Sequence, residues 1–279
     1  IGLQSVFDHQ LKNLSRIHTY DEFLGTYEEL RNMGIDNINI DLMSGLPGQT
    51  FDEWHETLKT VTNLNPEHIS AYSLIIEEGT PFYDRDEKGE LNLPDEDLER
   101  KMYHHTRDYL LGKGYEQYEI SNYARKGYAC RHNVAYWTDV EYLGLGLGAS
   151  SYMNGVRMKN IDDLDEYVKI LGKDKDSVKP VPEIESEDKF KALRLVEEEA
   201  DMNRRLEEAI FLGLRLTAGI HMPSVDHKFA SPFKGIYKEV LAKHVEDGCL
   251  VIEDEYLKLT DKGRDISNSV LSDFLIDDE

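Results

Sequence analysis

Apolar positions along this chain recur at two spacings, and the switching between them predicts the order of elements. In the stretch INIDLMSGLPGQT (Ile38–Thr50), Ile38, Ile40, Leu42 and Met43 read as a short, fully buried strand. Gly45, Pro47 and Gly48 end it, and Thr50 with Glu53 forms a T-x-x-E capping box that starts a helix near Phe51, running to about Asn63. Upstream, Ile1–Gln4 reads as a strand. Thr19 and Glu22 form a second capping box, opening a helix to about Met33 with the stripe Phe23, Tyr27, Leu30 and a stop at Gly34. Downstream, Asn65-Pro66 breaks the chain before a strand over Ile69–Ile76. Strand, helix, strand, helix, strand implies a parallel sheet.

Beyond it the pattern predicts a polar loop over Gly79–Pro94 and a helix over Asp95–Leu111 with Leu98, Met102, His105 and Tyr109 on one face. Gly114 ends that helix, and Tyr115–Ile120 alternates as a strand. A loop over Ser121–Asp139 leads to a glycine-punctuated strand over Leu143–Ser151. Asn154-Gly155 turns that strand into Val156–Lys159, and Asn160 is placed to cap a helix to Leu171. Lys173–Ser186, with Pro180 and Pro182, reads as a linker, dividing the chain into parts 1–182 and 183–279. The second part predicts helices over Glu187–Ala200, Arg204–Leu216, Phe233–Asp247 and Lys262–Phe274. A hairpin of Leu250–Glu253 and Tyr256–Leu259 accompanies them, giving a winged-helix-like α+β module.

Composition narrows the function. The 279 residues carry a net charge of −23, which argues against non-specific nucleic-acid or anionic-membrane binding and against a regulator built on the wing. No apolar run approaches the roughly 20 residues of a membrane span, and no signal peptide is visible. Two cysteines, Cys130 and Cys249, give no disulfide framework, so a reducing cytoplasm is the default location. The chain opens on Ile1 with no lead-in to its strand, and it reads as a fragment lacking its N-terminus.

Five places carry candidate chemistry. Asp41 interrupts an apolar run near the carboxyl end of its strand, where α/β folds bind ligands; it either contacts a ligand or caps a backbone amide. The Gly45–Thr50 turn fits neither phosphate-loop nor dinucleotide fingerprints, so its glycines serve a tight turn and close backbone approach. Gln4 ends its strand and Arg16 lies in the loop after it, suited to a carboxylate or simply to the surface. Gly144, Gly146 and Gly148 admit a close neighbour or relieve packing. Cys130 and His132 form a C-x-H pair able to ligate a metal or haem iron, or serve only the loop; Tyr136 and Trp137 beside them offer stacking or anchorage.

Taken together, GLQS (Gly2–Ser5), LSRIHT (Leu14–Thr19), DLMSGLPGQT (Asp41–Thr50), RHNVAYW (Arg131–Trp137) and the later YLGLGLGASSYMNGVR resemble one family. It is the radical S-adenosylmethionine (SAM) family of oxygen-independent coproporphyrinogen III oxidase-like proteins, and HN-x-x-YW resembles its haem-chaperone branch. The resemblance implies an α/β fold: the C-terminal part of a partial (β/α)6 barrel, followed by a small winged-helix-like domain. It implies SAM, a [4Fe–4S] cluster and haem as cofactors, and delivery of haem to recipient haemoproteins, with no nucleic-acid partner and with peripheral membrane association and oligomeric state left open. The alternative is the oxidase itself, which turns two propionates of coproporphyrinogen into vinyl groups. By resemblance, Gln4 and Arg16 face the methionine carboxylate and ribose of SAM, Asp41 the ribose hydroxyls, and the strand around Ile75 the adenine. His132 and Cys130 are the candidate haem ligands. The family's C-x-x-x-C-x-x-C cluster motif is absent from this sequence, so the chain as it stands is expected neither to assemble the cluster nor to cleave SAM.

Overall fold

Strand β2 (Asn39–Ser44) sends alternate side chains to opposite faces of a sheet. Ile40 and Leu42 are fully buried, whereas Asn39, Asp41 and Met43 are half-buried. The expectation of a fully buried strand is thereby corrected. Ile40 and Leu42 occupy the buried face, and the half-buried face carries the polar Asn39 and Asp41 with Met43 at its end. The computed structural model describes residues 1–171, 193–230 and 232–276. Their contacts group into two units: Ile1–Val134 with Arg215–Gly219 and Lys258–Ile266, and Ala135–Leu214 with Ile220–Leu257 and Ser267–Glu279.

In the first unit, β1 (Gly2–Gln4), β2 and β3 (His68–Ser73) run parallel, with Asn39 opposite His68, Asp41 opposite Ser70 and Met43 opposite Tyr72. Strands β4 (Glu116–Gln117) and β5 (Asn122–Ala124) add an antiparallel extension, in the order β1-β2-β3-β5-β4. The sheet is therefore mixed. Helix α1 (Asp8–Asn13), which the sequence pattern does not predict, precedes α2 (Tyr20–Asn32); α3 (Phe51–Leu64) follows β2. Both predicted capping boxes form. Thr19 and Thr50 each accept the N–H of the residue three on at 3.3 Å, and Glu22 and Glu53 return 2.8 Å bonds to the cap N–H. Phe23 and Tyr27 of α2, Trp54, Leu58 and Val61 of α3, and Met102 and Leu110 of α5 (Glu96–Gly112) bury the Ile40, Leu42 and Ile69 face.

Three expectations change in this unit. The strand expected to reach Ile76 stops at Ser73: its neighbour β2 ends at Ser44, Gly45 turns away at φ +73°, and only the Leu74 N–H still finds the Ser44 carbonyl, at 2.9 Å. The expected loop over Gly79–Pro94 contains α4 (Pro81–Glu87), capped by Thr80 and opened by Pro81, a start signal that its charge conceals. The expected loop over Ser121–Asp139 contains β5 and α6 (Arg131–Trp137).

In the second unit, β6 (Ser150–Met153), β7 (Val156–Asn160) and β8 (Arg194–Glu199) form an antiparallel sheet, with Asn154 and Gly155 both at positive φ as the turn demands. The strand expected over Leu143–Ser151 is instead a turn that enters β6 only at Ser150, with Gly146 and Gly148 at positive φ. Gly144 has a stricter reason: a Cβ there would sit 2.2 Å from the Ser150 carbonyl oxygen. Asn160 is a strand residue, and α7 (Leu164–Leu171) begins at Asp163, which accepts the Glu166 N–H at 2.8 Å. Of the helix expected over Glu187–Ala200, the described part is β8, because pairing with β7 satisfies its backbone; the expected linker and the 182/183 boundary lie outside the described residues.

Helices Met202–Gly213, Met222–Phe229, Phe233–Ile236 and Lys238–Glu246 accompany a three-stranded sheet of β9 (Ile220–His221), β10 (Leu250–Glu253) and β11 (Tyr256–Leu259), in the order β10-β11-β9. The last expected helix is two, Asp261–Asp265 and Ser267–Ser272, separated by Ile266 at φ −120°. No described helix is long and apolar enough to cross a membrane.

Candidate functional site

The polar face of the first unit's sheet borders a cleft of about 570 Å3. Asn39 and Asp41 of β2 and His68 and Ser70 of β3 form one side; Tyr128, Cys130, Arg131 and Asn133 form the other. Asp41 lies mid-strand rather than near the carboxyl end, because β2 begins at Asn39 and continues to Ser44.

A carboxylate organises the hydrogen bonds on this face. Asp41 Oδ1 accepts the Asn39 Nδ2–H at 2.6 Å, so the Asn39 Oδ1 turns the other way. There it accepts from His68 Nδ1 at 2.6 Å and from the Ser70 hydroxyl at 3.2 Å. With its proton on Nδ1, His68 offers the Nε2 lone pair to the Tyr118 hydroxyl at 2.9 Å. The Tyr118 oxygen in turn accepts the Cys130 backbone N–H at 3.4 Å and the Asn133 Nδ2–H at 3.3 Å. Each group in this series is used in the one protonation state that satisfies both neighbours. Burial pushes the His68 pKa down to about 4, with Asp41 pulling the other way, so the ring is neutral at pH 7. Burial likewise raises Tyr118 to about 12, against the opposing bonds from Asn133 and Cys130.

The predicted residues distribute unevenly. Gln4 is buried and holds φ +72°, a left-handed conformation that disfavours a side chain. Its Oε1 accepts the Tyr72 hydroxyl at 3.0 Å. Arg16 is exposed. Burial and then the Asp41 charge raise the Tyr72 pKa, while the Gln4 bond and the Arg16 guanidinium lower it, so all three predicted residues act on one phenol. Ile75 is 76 % exposed and lies beyond β3, on a second cavity of about 250 Å3 that Tyr72 and Ser73 also line. Cys130 is half-buried and lines the Asp41 cleft, whereas His132 is exposed and is not among its lining residues. The structure thus brings Asp41 and Cys130 together and leaves His132 outside. Cys249 is buried in the second unit. Among the described residues, no three His, Cys, Asp or Glu side chains converge as a metal-ligand set.

Sequence reasoning missed Asn39, His68, Tyr72 and Tyr118. The signal was the alternation H-I-S-A-Y-S over His68–Ser73, which sets polar or aromatic residues on one face, and the Asn39-x-Asp41 spacing that matches it. The glycine turn after β2 packs inward. A Cβ on Gly45 would meet Glu99 Oε1 at 3.1 Å, and buried Gln49 donates to Gln10 Oε1 at 3.2 Å. This turn ties β2 to α1.

Comparison with known proteins agrees on one family. The family model described as the Radical SAM superfamily matches residues 1–61, and that described as the HemN C-terminal domain matches residues 201–266. The chain is 34 % identical to the haem chaperone HemW of Lactococcus lactis over 278 residues, which is 100 % of this chain and 69 % of that protein. It is 32 % identical to the haem chaperone HemW of Bacillus subtilis over 274 residues, 98 % of this chain and 68 % of that one. The mouse mitochondrial radical S-adenosyl methionine domain-containing protein 1 is 40 % identical over 149 residues, 53 % of this chain and 34 % of that protein. Among solved structures, the coproporphyrinogen III oxidase HemN of Escherichia coli superimposes with a TM-score of 0.74 at 18 % identity, over 98 % of this chain and 63 % of that one, which shows a shared α/β fold.

Proposed function

We propose a function on the premise of family: this chain belongs to the HemW haem-chaperone family of the radical SAM superfamily. It spans 69 % and 68 % of the two bacterial HemW relatives, so their whole activity is proposed only as far as its own residues can carry it. The chain binds the nucleoside part of SAM at Asp41 and holds haem for transfer to haemoproteins.

One observation carries the SAM reading. Asp41 lies on the half-open polar face, in a cleft, with one oxygen bonded by Asn39 and the other meeting no donor among the described residues. A carboxylate so placed suits vicinal ribose hydroxyls, which need an acceptor on that side. Gln4 and Arg16, acting on the same phenol, supply an amide and a guanidinium toward a carboxylate. The family also implies a [4Fe–4S] cluster. Two cysteines are too few to ligate one, and no described trio of ligands replaces them, so no step here runs through it.

For haem, the Cys130 thiol and His132 imidazole are the soft and borderline ligands available in and beside the Arg131–Trp137 segment. The Arg131 guanidinium, on the cleft, gives a propionate its cation. An exposed His132 suits a carrier that must release its cargo. The oxidase alternative is supported by fold alone.

Haem titration followed by visible absorption tests the reading. A saturable Soret shift at one haem per chain, altered in His132→Ala, is expected. Absence of saturable binding overturns it, and an unchanged spectrum in His132→Ala moves ligation elsewhere.

A further inference from the structure

We propose that the series Asp41–Asn39–His68–Tyr118 couples the occupancy of the Asp41 cleft to the order of the Cys130–Asn133 turn, so that His68 and Tyr118 are positioning residues for both. The proposal deepens the reading above and rests on it. The ligand class is a nucleoside whose ribose presents vicinal hydroxyls to Asp41.

The hydrogen bonds of the series share one direction. Asp41 is acceptor-only and forces the Asn39 amide to present its nitrogen. That choice fixes the Asn39 oxygen as an acceptor, His68 as a donor at Nδ1 and an acceptor at Nε2, and Tyr118 as a donor to His68. The Tyr118 oxygen is left with lone pairs only, and these meet two N–H groups from the turn before and within α6. No link can reverse alone without setting donor against donor or acceptor against acceptor. Bonds arranged this way polarise one another and respond together.

The distances show where the response has room. The three inner bonds are 2.6, 2.6 and 2.9 Å, but the two that reach the turn are 3.4 and 3.3 Å. The near end is tight and the far end is loose. A ligand that donates hydroxyls to Asp41 fixes that carboxylate's rotamer. It thereby narrows the motion of each rotor behind it, and the gain in order appears at the Cys130 and Asn133 bonds. SAM at one side of the cleft would in this way prepare the segment that carries Cys130 and Arg131 at the other.

The test is amide hydrogen exchange, read by mass spectrometry on the peptide covering Cys130–Val134, with and without saturating SAM. Binding is measured in parallel by calorimetry. Tyr118→Phe removes only the bridging hydroxyl, and His68→Gln removes the ring while keeping an amide donor. Circular dichroism checks that each variant folds. The expected result is at least threefold slower exchange in the wild type on adding SAM. Less than half of that protection should remain in either variant, and in Tyr118→Phe, whose residue is not among those lining the cleft, SAM affinity should stay within about twofold of wild type. Equal ligand-induced protection in a folded variant overturns the relay. Binding in the wild type with no protection overturns it while leaving the Asp41 reading intact. Absence of SAM binding to the wild type overturns both.

Discussion

His68 makes the first unit acid-sensitive, and its environment sets by how much. In the unfolded chain its imidazole takes a proton near pH 6.5; in the folded chain burial lowers that to about 4. Between these values the unfolded state binds one more proton than the native state, so stability rises with pH across that window. The contribution is fully present above about pH 6.5 and is lost as pH falls toward 4. The full difference corresponds to about 3 kcal/mol, of which about 2 kcal/mol is lost by pH 5. The perturbation is His68→Gln, which stays neutral at every pH and keeps an amide to donate to Asn39. The assay is urea unfolding at pH 7.5 and at pH 5, followed through buried Trp54, whose Nε1–H donates to Thr106 at 2.8 Å. Acid changes many carboxylates in a chain of charge −23, but these contributions are common to both proteins and cancel in the difference. The wild type should lose about 2 kcal/mol more than the variant on going to pH 5. Equal losses, or a His68 ring that titrates near pH 6.5 by NMR in the folded protein, would refute the reasoning.

Other outcomes rest on single contacts. Asp41→Ala should weaken SAM binding at least tenfold by calorimetry while the circular dichroism spectrum stays that of the wild type; equal affinity removes Asp41 from the site. Gly144→Ala must displace the Ser150 carbonyl from a 2.2 Å encounter, and a loss of about 2 kcal/mol or more in thermal unfolding of the second unit is expected. Thr50→Ala deletes the acceptor of the Glu53 N–H and should cost about 1 kcal/mol of stability by chemical denaturation.

Legibility in the sequence tracks the range of the interactions. Thr19–Glu22 and Thr50–Glu53 are local and readable to the residue, as is the Asn154-Gly155 turn. Asp41 is readable as a polar residue in an apolar run, though not its place in mid-strand. What escapes is decided by partners far along the chain. Arg194–Glu199 has helical composition but finds β7 to pair with, and β3 stops where β2 stops. Tyr118 and His68 are 50 residues apart, and nothing local says that they share a hydrogen bond. The three glycines after Leu143 announce a special backbone, yet one of them, Gly144, is set by contact with Ser150 rather than by its own torsion.

The one-sided burial of β2 has a calorimetric consequence. Because Ile40 and Leu42 are already packed against the helices, a ligand entering on the Asn39, Asp41, His68 and Ser70 side removes little apolar surface from water. Its heat-capacity change should accordingly be small, with a favourable enthalpy from hydroxyl–carboxylate bonds set against the entropy of ordering side chains. A porphyrin covering the same cleft would instead carry a large apolar face with it. The sign and size of the heat-capacity change would then tell which of the two molecules occupies the cleft, without any spectroscopic label.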